Sequence, residues 1–122
     1  MDIKIVTVLH QGDEKKEYIV LQALDKCNLK PYMILDNTYD TDGVASNKHR
    51  HVFKFPDWTV EKNEYIFLTT KPGLNKKGQT NTKEPASYLY WGLNSPVWNQ
   101  SGDKVHLVKI TDSTVFNVPS VV

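Results

Sequence analysis

Residues 88–110 read Tyr88-Leu-Tyr-Trp-Gly-Leu-Asn-Ser-Pro-Val-Trp-Asn-Gln-Ser-Gly-Asp-Lys-Val-His-Leu-Val-Lys-Ile110, and this stretch decides the fold class. It holds two of the three tryptophans, a strand-stopping proline at position 96 and a Ser-Gly-Asp turn at 101–103. Residues 104–110 then alternate between polar and apolar, which is the period of a half-buried β-strand. Aromatic residues, a turn and an alternating run together favour short strands around a small core.

The same alternation recurs along the rest of the chain, separated by turn residues. It predicts strands over 3–9, 17–24, 32–36, 49–55, 64–70, 88–91, 104–110 and 114–118. In the first strand, Ile3, Ile5 and Leu9 are expected on one face. Asn63 is expected in the left-handed backbone region, which asparagine tolerates. Seven to eight short, mostly antiparallel strands predict an all-β domain, either a β-sandwich or a small barrel.

Size and composition limit the possible functions. A chain of 122 residues is expected to form one domain, and a net charge of +1 provides no overall attraction to nucleic acid or acidic lipid. Cys27 is the only cysteine, so it is expected to be a partly buried apolar residue. No apolar run is long enough for a membrane span, and the first ten residues lack a signal-peptide pattern. These features predict no membrane insertion and, by default, a cytoplasmic protein, unless a leader has been removed.

Several sequence blocks occur in an order that resembles the lamin tail domain family. The blocks are Glu17-Tyr-Ile-Val-Leu21, Cys27-Asn-Leu-Lys-Pro-Tyr-Met-Ile-Leu-Asp36, Phe53-Lys-Phe-Pro56, Val60-Glu-Lys-Asn-Glu-Tyr65 and Trp98-Asn-Gln-Ser-Gly-Asp-Lys-Val-His-Leu107. The last block is the most specific, and the match runs from about residue 3 to residue 118. The chain departs from the family at Pro31, where glycine is frequent, and at Lys62-Asn63, where a Pro-Gly turn is frequent.

The resemblance implies an immunoglobulin-like β-sandwich over residues 1–122 and a stand-alone interaction module. Members of the family are mostly attached modules that are taken to bind proteins, nucleic acid or surfaces. The family has no catalytic residues to carry over, and a fold does not by itself give a function. The resemblance therefore implies a non-catalytic domain without a cofactor, which binds a protein partner or self-associates.

Histidines and carboxylates provide weak candidates for a metal site. His49 and His51 lie two apart on a predicted strand and could face one ion, with Asp40 or Asp42 as a third ligand. The alternative is a pair of histidines at a strand start, one partly buried against Phe53 and one solvated. Residues 36–42 superficially suggest calcium but lack the full ligand spacing. Asp103 is expected to hold a turn, and no nucleophile motif is present, so we predict neither a metal site nor an enzyme.

Two regions are candidates for partner binding. Residues 71–85 read as a long irregular loop whose lysines make it basic, and an outward-facing Tyr90 could add a stacking surface, since Trp91 and Trp98 are expected in or near the core. The predicted partner-binding residues are Lys71, Lys76, Lys77, Lys83 and Tyr90. The basic segment 71–83 supports nucleic-acid binding as the alternative function, with a plain solvated loop as the simpler explanation.

Exposed sheet edges support the first function, protein binding or self-association. The first and last predicted strands, 3–9 and 114–118, are expected to be the free edges that could pair with another chain. Carbohydrate binding through surface aromatics is a third and weaker hypothesis.

Overall fold

The computed structural model describes residues 1–37 and 50–121, and all regular elements in these ranges are β-strands. The ten strands are β1 (Ile3–Leu9), β2 (Tyr18–Ala23), β3 (Cys27–Asn28), β4 (Tyr32–Leu35), β5 (Val52–Lys54), β6 (Thr59–Val60), β7 (Tyr65–Thr69), β8 (Lys76–Gln79), β9 (Pro85–Tyr90) and β10 (His106–Lys109). The predicted all-β class is therefore confirmed. The described chain holds no helix that is long and apolar enough to cross a membrane.

The strands form three sheets. A five-stranded sheet has the order β1-β2-β7-β9-β8, a three-stranded sheet has the order β10-β4-β5, and β3 pairs with β6. All strand pairs are antiparallel except β7 and β9, which run parallel. The parallel pair arises because the chain leaves β7, forms β8 at the sheet edge and returns as β9 between them.

The two larger sheets share one hydrophobic core. From β2, the alternate residues Ile19, Leu21 and Ala23 are fully buried. From β4, Tyr32 and Ile34 join the same cluster. The remaining members come from other strands and loops: Ile3, Leu29, Phe55, Val60, Ile66, Leu68, Leu89, Val97 and Trp98. Burial of these apolar side chains is the main force that holds the sheets together.

A bulge in β1 changes the face on which its last residues lie. The register with β2 shifts between Ile5 and Thr7, so one extra residue is inserted at Val6. After that insertion, Val8 packs against the core and Leu9 is exposed. The expectation that Leu9 shares a face with Ile3 and Ile5 was therefore wrong, because strict alternation does not anticipate an inserted residue.

Residues 71–85 were predicted as an irregular loop, and this was wrong. They contain β8, which pairs with β9 in the register Lys76↔Tyr88, Lys77↔Ser87, Gly78↔Ala86 and Gln79↔Pro85. β9 itself begins at Pro85, a position where proline is tolerated because it is the first residue of the strand. Lys, Gly and Gln have low strand propensity, so the pairing of β8 depends on its partner strand.

The strand predicted at 114–118 is absent from the described chain, and residues 111–121 are all exposed. The pairing of β10 with β4 extends to a hydrogen bond from the Ile110 amide to the Pro31 carbonyl, at 2.7 Å. Proline has no N–H group, so the ladder loses a donor at this point. The β-type sequence after Ile110 therefore has no sheet partner along β4.

Smaller expectations are confirmed or refined. Asn63 has a φ of 70°, and the Gly102 amide bonds to the Asn99 carbonyl, so both predicted turns are present. β9 is longer than predicted and β10 is shorter. The two-residue strands β3 and β6 were not predicted. Part of the predicted strand 49–55 is present as β5, while residue 49 lies outside the described residues.

Candidate binding surface

Aromatic side chains cover the solvent-facing side of the five-stranded sheet. Tyr18 of β2, Phe67 of β7 and Tyr88 of β9 lie next to one another across three neighbouring strands. They are partly exposed, because they occupy the positions that alternate with the buried core residues. Tyr65 stacks on Phe67 at a centroid distance of 6.3 Å and extends the cluster along β7.

The rings of Tyr18, Phe67 and Tyr88 meet at a corner. Phe67 and Tyr88 stack with centroids 5.2 Å apart and an interplanar angle of 16°, so they form one wall. Tyr18 meets Phe67 edge to face, at 5.9 Å and 70°. The Tyr88 hydroxyl donates to the Gln79 carbonyl at 2.7 Å, which fixes the ring over the β8–β9 hairpin. The rings are therefore positioned before any ligand binds.

A groove of about 460 Å³ lies against this corner. Its lining residues are Tyr18, Phe67, Thr69, Thr80, Asn81, Thr82 and Tyr88. The Thr80–Thr82 side comes from the turn that joins β8 to β9. In that turn the Thr80 and Thr82 hydroxyls lie 3.0 Å apart, and the Lys83 residue has a φ of 66°. The groove thus combines an aromatic wall with a polar turn.

The predicted partner-binding lysines do not form one basic surface. Lys77 is turned toward the core side of β8, where its Nζ donates to Glu64 Oε2 at 2.9 Å and to the Thr59 carbonyl at 2.5 Å. The same ammonium lies 5.4 Å from the centre of the Trp58 ring. Lys77 therefore has a structural role in joining β8 to the rest of the domain.

Glu64 is the centre of this network. It is 3% exposed, and its Oε2 also accepts a hydrogen bond from the Ser87 hydroxyl, which in turn accepts from Trp58 Nε1 at 2.8 Å. Burial acts to raise the pKa of the Glu64 carboxyl. The hydrogen bonds from Ser87 and Lys77 outweigh burial and hold the pKa below its ordinary value. Glu64 is consequently ionised at neutral pH.

The other predicted lysines are exposed but separate. Lys76 lies on the opposite face of β8 from Lys77, with its Nζ 5.8 Å from the centre of the Tyr88 ring. Lys71 precedes β8 and Lys83 lies at the hairpin turn, and both are exposed. Of the predicted lysines, Lys76 is therefore the one whose ammonium is recorded over a ring of the aromatic cluster.

Tyr90 packs against the backbone that enters β8. Its amide donates to Asn75 Oδ1 at 3.1 Å, and its ring lies so close to Gly73 that a side chain there would overlap it. The neighbouring Trp91 packs against the core, and Trp98 is buried, as expected. Tyr90 is half-buried, so it offers less free surface than the sequence predicted.

Asp36 and His51 form a polar site at the entrance to residues 38–49. Asp36 Oδ1 accepts from the Arg50 and His51 amides at 3.0 and 2.9 Å, and Oδ2 lies 2.7 Å from His51 Nδ1. The other ligands predicted with His51 were His49, Asp40 and Asp42, and these three residues lie outside the described residues. Within residues 1–37 and 50–121, no group of three His, Cys, Asp or Glu side chains could hold a metal ion.

Two further candidates from the sequence have local roles. Asp103 accepts from the Lys104 amide at 2.8 Å and from the Asn99 amide at 3.2 Å, which agrees with the expected turn-holding role. Cys27 is half-buried, and burial together with the nearby Asp2 carboxylate raises the pKa of its thiol. A raised pKa keeps the thiol protonated at neutral pH, and the thiolate is the reactive form.

Sequence reasoning missed the aromatic groove. Tyr18 and Phe67 were assigned to strands but not to a site. The available signal was the presence of aromatic residues at solvent-facing positions of three different strands. That signal could be used only once the strand order was known, because β7 and β9 are not neighbours along the chain.

Comparisons with protein-family models, with curated proteins and with solved structures give no match for this chain.

Proposed function

We propose that this chain is a non-catalytic interaction module, folded as an immunoglobulin-like β-sandwich of the lamin-tail type, that self-associates by strand addition. The sandwich arrangement is supported by two sheets that contribute to one core. The observation that carries the functional proposal is an exposed apolar segment, residues 113–118, in the same chain as a long free sheet edge.

The segment has the composition of a strand and none of the contacts of one. It reads Ser-Thr-Val-Phe-Asn-Val, and none of these six side chains is charged. Val115, Phe116 and Val118 are between 82% and 88% exposed. β-branched and aromatic residues gain most from a pleated, half-buried surface, so this segment is more stable when it is paired.

β1 is the edge best suited to receive it. β1 is seven residues long, Lys4 is its only charged residue, and it lies at the end of the five-stranded sheet. The opposite edge, β8, carries Lys76 and Lys77, and lysines on an edge strand discourage pairing.

A second copy of this chain is the partner that the segment fits. An uncharged, apolar donor matches an edge on which Val6 and Leu9 are 48% and 41% exposed. In a dimer, each copy would donate its segment to β1 of the other, which gives a closed twofold arrangement. Main-chain hydrogen bonds would supply affinity and the apolar side chains specificity.

Light scattering on the full chain tests this proposal. We expect a dimer at low and high salt, because backbone pairing and apolar contacts are weakly screened. Phe116→Asp should shift the mass toward the monomer, whereas Thr111→Asp should not. Val6→Lys on the β1 edge should weaken the dimer, while Val52→Lys, at similar exposure on β5, should leave it intact. A monomer at all concentrations, or equal effects of both lysine variants, would contradict the proposal.

Nucleic-acid binding remains the alternative function. Light scattering in the presence of mixed oligonucleotides tests it. A mass increase only with oligonucleotide, and only at low salt, would favour it. The informative variants are Lys76→Glu and Lys83→Glu, because neither lysine contacts a carboxylate among the described residues. Lys77→Glu would be misleading, since it would also place a second negative charge beside Glu64.

A further inference from the structure

The groove beside Tyr18, Phe67 and Tyr88 is a second surface, distinct from the β1 edge. We infer that it binds a neutral oligosaccharide, with the sugar C–H groups in contact with the aromatic side chains of the lining and the sugar hydroxyls bonded to its uncharged polar groups. This inference is independent of self-association, because it uses a sheet face and not a sheet edge.

The size and order of the groove suit a small ligand. A volume of about 460 Å³ lies within the range of ordinary ligand sites, roughly 300–1,000 Å³. The Phe67–Tyr88 stack and the hydrogen bond from the Tyr88 hydroxyl to Gln79 hold the wall in place. The Glu84 amide donates to Thr80 Oγ1 at 3.1 Å, which orders the turn on the other side. A preformed site reduces the entropy cost of binding.

Polar groups at the groove are available for a ligand. The Tyr18 hydroxyl, the Thr69 hydroxyl and the Asn81 amide make no hydrogen bond with other groups in the part of the chain that the structure describes. Each hydroxyl can both donate and accept, and the amide offers two donors and an acceptor. Sugar hydroxyls, which also donate and accept, match this set.

The lining itself is uncharged, and one lysine lies beside it. None of the seven lining residues is acidic or basic, and Lys76 Nζ lies 5.8 Å from the centre of the Tyr88 ring. A phosphate backbone draws most of its affinity from several lysine or arginine contacts, so one lysine beside an uncharged lining does not favour nucleic acid. Contact of the apolar C–H groups of a pyranose with aromatic side chains needs no net charge.

An extended peptide is also a poor match. The groove lies on the face of the sheet, where the backbone groups of β2, β7 and β9 are already paired with neighbouring strands. A peptide bound there could not add to the ladder, which is the usual source of affinity for extended peptides.

The test is an NMR titration of the full chain with cellotetraose, xylotetraose, mannotetraose and chitotetraose. The Phe116→Asp variant serves as a second sample, so that self-association does not obscure the result. We expect at least one sugar to bind with a Kd of about 1 mM or tighter, with shifts centred on Tyr18, Phe67 and Asn81. Saturation at these residues in both samples would support the glycan site whatever the oligomeric state.

Conservative variants then localise the contacts. Tyr18→Phe keeps the ring and removes only the hydroxyl, and Asn81→Ala removes the amide. Each should weaken binding by about 3- to 10-fold, as expected for one neutral hydrogen bond. The matched controls are Tyr65→Phe and Asn94→Ala, which lie outside the lining and should not change the Kd.

Three outcomes would overturn the inference. The first is the absence of shifts with all four sugars at about 10 mM, well above the expected Kd. The second is equal weakening by test and control variants. The third is binding of a thymidine decamer but of no sugar, which would assign the surface to nucleic acid.

Discussion

Lys77 Nζ lies 2.9 Å from Glu64 Oε2, an ion pair that joins the edge strand β8 to the start of β7. The carboxylate is 4% exposed and the lysine is half-exposed. The pair explains why a strand of low intrinsic propensity is held at the end of the sheet. Among the described residues, removal of the lysine would leave a buried negative charge with the Ser87 hydroxyl and the Glu61 amide as its remaining partners.

We therefore predict that Lys77→Met lowers the free energy of unfolding by about 1–2 kcal/mol. This is the lower part of the range for a hydrogen bond to a charged group, because the lysine is partly solvated. Lys76→Met is the matched control, since this lysine lies on the other face of β8 and contacts no carboxylate among the described residues. Its effect should stay within about 0.5 kcal/mol. Urea unfolding measures the free energy of unfolding of both variants. Equal decreases for Lys77→Met and Lys76→Met would show that the ion pair is not important for stability.

The lowered pKa of Glu64 predicts a specific acid dependence. Because the pKa is lower in the folded state than in the unfolded chain, the stability that this group contributes is present above its ordinary pKa of 4.5. That contribution is lost as the pH falls below 4.5 and through the folded-state pKa. Unfolding followed from pH 7 to pH 3 should show a smaller loss for Glu64→Gln than for the wild type.

Ser87→Ala provides a second readout of the same group. It removes the hydrogen bond that contributes most to the lowered pKa, so the pKa of Glu64 should rise. A pH titration of the Glu64 carboxyl by NMR measures this directly. An unchanged pKa in Ser87→Ala would show that Lys77 and the Glu61 amide are sufficient to hold the pKa of Glu64 down.

Glu17 is fully buried and ties its own turn to two distant segments of the chain, around Thr70 and Val97. Its Oε1 accepts from the Gly12 amide at 3.1 Å, while Oε2 accepts from the Thr70 hydroxyl at 2.5 Å and the Val97 amide at 2.9 Å. We predict that Glu17→Ala costs about 3–5 kcal/mol, since it leaves buried donors unpaired and opens a cavity. Thr70→Val removes one of the three donors without changing shape and should cost about 1 kcal/mol.

Thermal unfolding compares the two variants, and hydrogen exchange of the Val97 amide adds a local readout. The amide should exchange faster in Glu17→Ala than in Thr70→Val. A cost for Glu17→Ala as small as that of Thr70→Val would show that water can replace the carboxylate.

Gly73 is expected to be intolerant of a side chain because of Tyr90. A Cβ at this position would overlap the Tyr90 ring, although the backbone is not in the left-handed region. We predict that Gly73→Ala costs about 1–2 kcal/mol through forced displacement of the ring. In a Tyr90→Ala background the same change should cost nothing or stabilise, because alanine reduces the freedom of the unfolded chain. Additive costs in this double-mutant cycle would contradict the proposed overlap.

The sequence alone predicted what depends on local pattern. Alternation placed β1, β2, β4 and β7 close to their observed bounds, because a two-residue period with one buried face is a property of the strand itself. The Asn63 turn was predictable for the same reason, since its backbone preference is local. The lysines of 71–83 were recognisable as a basic segment but not as parts of different surfaces.

Tertiary structure decided everything that depends on a distant partner. β8 forms because β9 returns beside it and because Glu64 draws Lys77 inward, and neither condition can be read from residues 71–85. Residues 113–118 have strand composition but remain exposed, because the ladder along β4 reaches Pro31. The aromatic groove exists only because β2, β7 and β9 are neighbours in the sheet. Local propensity fixes the conformation that a segment prefers, whereas its partners, its burial and its charge state are set by segments far away in the chain.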